Sequence, residues 1–400
     1  MSAHTSSPLP GNVAGTIATL QRLVAFDTVS SRSNIELIDW VANRLDDQGI
    51  PVLVQHGDEP GKANLFATIG PTDVPGLMLS GHSDVVPVAG QDWSSDPFRL
   101  TDREGRLYGR GSADMKGFIA CCLETVPRLV AARLRTPVHL ALSYNEESNM
   151  GGMRRLAAHL ASAPVKPSAC IIGEPTLMQV VVANKGAAIY RARVRGFSVH
   201  SSLRHQGVSA VETGAAIVAF ITEMQRRLND AGRHDGFEFP HSSIHAGMIQ
   251  GGTAHNITAR DCEVLFEVRA LPGASAADIV AEVRRHCDQV LLPAMRAVSD
   301  ECAISIEEVL DAPGLDERGN VHLAQAIMPL CRCERPGRVS FGTEAGMLQQ
   351  IGVPTIVCGP GEIRVAHQPD EYVETSQLAA CLDFLDTLTA RLARGDLALR

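Results

Sequence analysis

Apolar and polar positions along this chain repeat with two different periods. In "VAGTIATLQRLVAFDTVS" and "NIELIDWVANRLDDQG" apolar residues recur at helical spacing, the second stretch closing on Gly49 as a C-cap. Short apolar runs follow at "IPVLVQ", "NLFATIG" and "GLMLSG", each the length of a strand. "MKGFIACCLETVPRLVAARL" then predicts a helix, "VHLALSY" a strand, "GGMRRLAAHLAS" a helix and "ACIIG" a strand. Buried strands alternating with amphipathic helices predict an α/β layer with a mostly parallel sheet and helices on both faces.

The texture changes near Asn184. "KGAAIYRARVRG" alternates apolar and charged residues, as a strand with one wet face does. A helix at 207–228, strands "SSIHAGMIQGG" and "CEVLFEVRAL", a helix at 274–292 and the strand "CAISIEEVL" complete the order βαββαβ. This reads as an inserted α+β domain over 184–311, returning through "DAPGLDERGN" to a larger domain made of 1–183 and 312–400. In the returning part, "PTIVCG" predicts a strand and 376–394 a helix.

Composition narrows the class. Four hundred residues exceed what one core usually serves, in keeping with two domains. A net charge of −9 argues against a nucleic-acid or anionic-membrane partner, since phosphate contacts need clustered Lys and Arg. Ten Cys without any Cys-x-x-Cys suggest reduced thiols. The start "MSAHTSSPLPGNVAG" reads as a polar tail without a signal-like apolar region, and no run approaches a membrane span. These features together predict a soluble cytoplasmic protein.

The chemistry sits where strands end. "LMLSG" leads to His82 and Asp84, "VHLALSYN" to Glu146 and Glu147, "ACIIG" to Glu174, and "PTIVCGPGEIRVA" to His367. Asp114 lies in the Gly-rich loop "GRGSADMKG" ahead of a helix. Taken singly, a histidine is more often structural, adjacent glutamates are a solvated loop, and Asp114 is a helix cap. Taken together at the carboxyl ends of parallel strands, where ligand crevices form, so many acids repel one another without a cation. Imidazole and carboxylate without thiolate suit Zn²⁺ or Co²⁺ in a catalytic site. Other chemistries lack their signatures. "GHSDV" puts Val85 where a nucleophile elbow needs Gly, "GDEPGKA" is too short for a phosphate loop, and no Gly-x-Gly-x-x-Gly follows the first strand.

The motifs "SGHSDVVPV", "GQDWSSDPF", "LYGRGSADMKG", "NEESNMGG", "IIGEPT", "FSVHSS", "GGTAHNITARDCEVLFEVR", "FGTEAG" and "AHQPDEYV" run in order over nearly the whole chain. They resemble the dinuclear zinc amidohydrolases that include acetylornithine deacetylase, succinyl-diaminopimelate desuccinylase, aminoacylase and glutamate carboxypeptidase. "GEPT", "FGTEAG" and "CGPG" with "AHQPDEYV" look most like the acetylornithine deacetylases. The resemblance implies one metal on His82 and Glu174, a second on Glu147 and His367, and Asp114 bridging both. It further implies Asp84 holding the other ring nitrogen of His82, Glu146 as general base, and His200 as an oxyanion donor reaching into a partner subunit's site. Asn256, Arg269 and Glu344 would bind substrate. Plain alternatives stand beside three of these: an exposed strand-end His200, an ion-paired Arg269, and a helix-start acid at Glu344.

One departure is Glu362 and Arg364 in "GEIRVAH", where ornithine deacetylases tend to read Ser-Ile-Glu; another is "HSSLRHQG", which lacks a following Pro. The expectation is a homodimeric hydrolase acting on an N-acyl amino acid, foremost N-acetyl-L-ornithine. Deacylation of succinyl-diaminopimelate, another N-acyl amino acid or a dipeptide is the alternative within the class. A non-catalytic amino-acid-binding relative is the alternative outside it.

Overall fold

Helices α1 (Val13–Val24) and α2 (Ile35–Asp46) bury the stripes their periodicity lays out, α2 through Leu37, Ile38, Val41 and Leu45. These come from a computed structural model that describes residues 13–399; the polar tail read from the sequence lies outside the described residues up to position 12. Beyond α2 the chain forms β1 (Val52–His56), β2 (Ala63–Ile69), β3 (Leu77–His82), β4 (Thr101–Arg103) and β5 (Arg106–Tyr108). It continues through α3 (Gly117–Ala131), β6 (Val138–Ser143), α4 (Gly151–Ser162), β7 (Ala169–Pro175) and β8 (Val181–Asn184). Next come β9 (Gly186–Arg195), α5 (Ala210–Asp230), β10 (Ser243–Gly251), β11 (Asp261–Ala270), α6 (Ala276–His286), α7 (Leu292–Arg296) and β12 (Ala303–Ala312). The last elements are α8 (Val321–Ile327), β13 (Gly337–Val339), α9 (Ala345–Gln350), β14 (Thr355–Gly359), β15 (Tyr372–Glu374) and α10 (Thr375–Arg394).

Contacts group these elements into two units. One takes the chain up to Val182, Asp316–Gly337 and everything from Glu344; the other takes Ala183–Leu315 and Arg338–Thr343. The sequence places 338–343 with the larger domain, whereas here that short arm packs with the insert. No local pattern marks it, because its placement depends on what it packs against.

The first unit is built on a sheet of order β1-β2-β6-β3-β7-β14-β8-β13, in which the chain passes from the first unit to the second within β8 and again within β13. Its centre, β6-β3-β7-β14, is parallel, and the pairs β1-β2, β2-β6 and β14-β8 are antiparallel. Every residue of β3, β6, β7 and β14 is buried, which is why these strands read as unbroken apolar runs and not as alternations. Helices cover both faces: α3 packs with α1 and α10, and α4 with α9. The approach of α3 is close at Gly173, where a Cβ would lie 2.0 Å from the Phe118 ring. A small sheet, β15-β5-β4, has strands of three residues each, too short for any periodicity to show.

The second unit has the order β10-β11-β9-β12, antiparallel throughout. One face, with Tyr190, Val194, Val264 and Phe266, packs on Ile217 and Ile221 of α5 and on Val280 and Val283 of α6. The other face carries Arg191 and Arg193 against Glu263 and Glu307. The helix expected over 274–292 stops at His286 and passes through a wider turn, Cys287–Leu291, into α7, where Pro293 has no N–H to extend the earlier pattern. Among the described residues no helix is long and apolar enough to cross a membrane.

Candidate metal centre

Four neighbouring parallel strands deliver chemistry from one edge of the sheet. His82 is the last residue of β3, and Glu146 and Glu147 follow the end of β6. Glu174 is the penultimate residue of β7, and β14 leads through a loop to His367. Parallel register places all these ends on the same side, so the polar residues after each strand converge. Asp114 arrives from the turn Ser112–Lys116 that opens α3. Gly111 enters that turn at φ +80°, and the Asp114–Met115 peptide is cis. His367 sits at φ +63°, a region that residues with a side chain seldom adopt and that functional sites often use.

Asp114 is the centre of the cluster. Its Oδ1 lies 2.9 Å from His82 Nε2 and its Oδ2 lies 3.3 Å from His367 Nε2. His367 Nε2 is also 3.0 Å from the Glu147 carboxylate, and His82 Nε2 is 3.8 Å from Glu174 Oε1. The side chains of Asp114, Glu147 and Glu174 are 6–7% exposed, so little water reaches their charges. His82, Asp114 and Glu147 can each offer a donor atom within 4.8 Å of the other two.

The electrostatics follow from burying many acids together. Desolvation, and then the charge of Asp114, push the Glu147 carboxyl up to about 7 and that of Glu174 well above the ordinary range. Desolvation raises Glu146 well above it too, against the pull of His82. Asp114 escapes the same desolvation because hydrogen bonds from His367 and His82 hold it far below the usual carboxylate value. Desolvation disfavours the charged form of His82, but the Asp114 hydrogen bond and the Glu174 charge raise it well above 6.5. Hydrogen bonds to Asp114 and Glu147 raise His367 to about 10. Protons are held here where a cation would satisfy the same acceptors. The donor set of imidazole nitrogen and carboxylate oxygen without thiolate fits a borderline divalent cation.

Asp84 differs from expectation. Its carboxylate is 3.8 Å from His82 Nδ1, while its main-chain oxygen takes that nitrogen at 2.9 Å. The fully buried carboxylate instead accepts Ser30 Oγ at 2.6 Å, the N–H of Glu146 at 3.0 Å and that of Glu147 at 3.3 Å. Two residues past His82 the chain has turned back on the ring, which leaves the side chain free to fasten the Glu146–Glu147 loop. Glu344 is 1% exposed, with Oε2 accepting Ser143 Oγ at 2.9 Å and Oε1 without a partner. Burial pushes its carboxyl up to about 7. Burial of this kind favours the neutral, protonated carboxyl unless a cation comes to face it.

His200, Asn256 and Arg269 belong to the second unit. His200 is exposed, with Nδ1 2.8 Å from Ser202 Oγ, and the main-chain oxygen of the exposed Asn256 accepts the N–H of Ser201 at 2.9 Å. Arg269 forms an ion pair with Glu267 on its own strand, so its charge is matched locally. Sequence reasoning passed over Arg110 and Glu371, a buried ion pair at 2.7 Å beside Asp114. Both stand inside motifs already singled out, "LYGRGSADMKG" and "AHQPDEYV", but nothing local signals that the two segments meet.

A parallel sheet whose strand ends gather imidazoles and carboxylates around one shared aspartate is the frame of a metal-dependent hydrolase. The chain belongs to the peptidase family M20/M25/M40, which it matches over residues 78–391. It is 35% identical over 354 residues to the acetylornithine deacetylase of Proteus mirabilis, covering 88% of each chain. It is also 35% identical over 367 residues to that of Edwardsiella ictaluri, covering 90% of this chain and 93% of the other. The fold superposes on the aminopeptidase PepT of Bacillus cereus with a TM-score of 0.73 at 18% identity, covering 96% and 99% of the two chains. With such relatives the protein is a metal-dependent amidohydrolase.

Proposed function

We propose that this protein is a cytoplasmic homodimer that hydrolyses N-acetyl-L-ornithine to L-ornithine and acetate, a step of arginine biosynthesis, using two divalent cations per subunit, Zn²⁺ or Co²⁺. The observation that carries the metal reading is Asp114, which faces His82 with one oxygen and His367 with the other. The substrate rests on the deacetylases at 35% identity. In this reading His82 and Glu174 would hold one cation and Glu147 and His367 the other, with Asp114 available to both. The first unit would carry the cations and the general base, and the second the dimer contact together with His200, Asn256 and Arg269.

When bound, the cations polarise the scissile carbonyl and make a water acidic near neutral pH. Glu146 takes a proton from the attacking water and passes it to the leaving nitrogen. Asp84 sets where Glu146 stands by holding its main-chain N–H. His200 of the partner subunit donates to the substrate oxygen as negative charge develops on it. Asn256 and Arg269 bind the amino-acid end of the substrate, which requires Arg269 to share its charge with Glu267. Glu344 offers a buried anion to the side-chain ammonium of ornithine. Arg364, at the departure from the ornithine deacetylase pattern, is 86% exposed and lies 3.5 Å from Glu362.

A panel of N-acyl amino acids, assayed with bound metal quantified, tests the reading. Acetylornithine is expected to be turned over fastest by protein holding about two ions per chain. Faster turnover of a succinyl or dipeptide substrate would move the specificity. Metal-loaded protein inert to the whole panel would leave the non-catalytic relative standing.

A further inference from the structure

The segments that carry Asp114 and His367 are far apart in sequence and meet on one buried side chain, Glu371, which is 1% exposed. Its Oε1 accepts the N–H groups of Ala113 at 2.9 Å and Asp114 at 3.0 Å. Its Oε2 accepts that of Gly111 at 3.1 Å and Nη1 of Arg110 at 2.7 Å. Its main-chain oxygen accepts the N–H of Gly109 at 2.9 Å. Arg110 is equally buried, lies over the Trp93 ring at 4.9 Å, and donates to the Gln368 main-chain oxygen at 3.3 Å and to Gln91. Gln91 in turn donates Nε2 to the main-chain oxygen of His367 at 2.8 Å. One connected set of hydrogen bonds therefore runs from the main chain of Asp114 to the main chain of His367.

We propose that Glu371, with Arg110 as its counter-ion, is a positioning residue for the metal centre. It fixes the turn at 111–114 so that the two Asp114 oxygens face the two histidines at once. The inference rests on the metal reading above and assigns that site a residue outside the ligand set. Both carboxylate oxygens of Glu371 are occupied by the peptide and by Arg110, so it cannot itself take a cation without breaking the turn. A carboxylate that must serve two cations tolerates little rotation, since ligand geometry has to hold to within about half an ångström. Three main-chain N–H groups aimed at one buried anion supply that rigidity, because any rotation of the turn leaves a buried donor unpaired.

The test is zinc affinity of the full-length protein, measured by competition with a chromophoric chelator well below the melting temperature. Glu371→Gln keeps the side-chain shape but replaces an acceptor oxygen with an amide that faces donors. It is expected to weaken zinc binding about ten- to hundred-fold, the usual effect of removing a group that orients a ligand. Gln91→Ala frees the His367 main chain and takes one acceptor from Arg110 while leaving Glu371 on the turn, and a smaller loss, chiefly of one equivalent of zinc, is expected. The rise in melting temperature on adding zinc should shrink in both. A merely structural role would lower the metal-free melting temperature of Glu371→Gln and leave both the zinc affinity and the zinc-induced rise as in wild type, which overturns the proposal. If Glu371→Gln does not accumulate folded, Gln91→Ala decides, with unchanged affinity counting against the proposal. A wild-type protein that binds no stoichiometric zinc would instead defeat the metal reading, and this inference with it.

Discussion

Glu146 and Glu147 adjoin in sequence but meet different partners: Glu147 touches His367, and Glu146 does not share that contact. Glu146→Gln is therefore expected to keep its metals and lose about 10²–10⁴-fold in kcat, the span of a general base. Glu147→Ala should lose one ion, and Asp114→Ala both. Metal analysis beside steady-state kinetics reads the three, and equal metal content with equal activity in the two glutamate variants would make the pair a solvated loop. Protonation adds a second check. His367, raised to about 10 by Asp114 and Glu147, carries a proton at neutral pH in the metal-free chain, and a cation must displace it. Zinc affinity should then climb about tenfold per pH unit for each proton released. Calorimetric titration in buffers of different ionisation enthalpy counts those protons, and zinc uptake with no proton release would contradict the assignment of His367.

At the level of elements, the fold depends on α3 lying close to the sheet. Gly173→Ala would put a methyl into the Phe118 ring, so a loss of about 1–3 kcal/mol or more is expected in denaturant unfolding. Phe118→Leu should recover part of it, and a Gly173→Ala protein as stable as wild type would mean the helix can shift outward. On β6, His139 is buried, stacks on Phe66 and leaves Nε2 unpaired. Burial lowers its imidazole to about 4, against about 6.5 when unfolded. The unfolded chain thus binds the extra proton, so stability is complete above pH 6.5 and is lost as the pH falls through 4. That is about 3 kcal/mol of acid sensitivity. In His139→Phe it should be absent, and stability-against-pH curves of equal steepness for wild type and variant would refute the cause.

For the whole molecule, the proposal that matters is a site shared between subunits. His200→Ala should lower kcat by roughly 10²–10³ without changing metal content. Mixing His200→Ala subunits with Glu146→Ala subunits distinguishes the arrangements. If His200 acts across the dimer, one complete site is restored, because the first subunit keeps Glu146 and borrows an intact histidine. If it acts within its own subunit, each site keeps one defect and nothing is regained. Pairing a doubly substituted subunit with wild type reverses both expectations. Activity of one intact site in that control, with none in the first mixture, would rule out sharing.

The sequence by itself determined the longer strands, most of the longer helices and the residues that leave the strand ends, but not the three-residue strands or the break after His286. Period and punctuation are local, and a run as short as "LMLSG", closed by Gly, reads as a buried strand that releases His82 and Asp84 at its end. Parallel pairing then made those ends neighbours, so His82, Glu147, Glu174 and His367 could be named from the sequence, together with Asp114 from its Gly-rich loop. Partner choice was decided only by tertiary structure. Asp84 turned from the imidazole to the Glu146–Glu147 main chain, Arg269 joined Glu267, residues 338–343 crossed to the insert, and Arg110 found Glu371. In each case several donors and acceptors of equal chemistry were available. Which of them pair depends on what else is packed nearby and how far water is excluded, and neither is written in any stretch of local sequence.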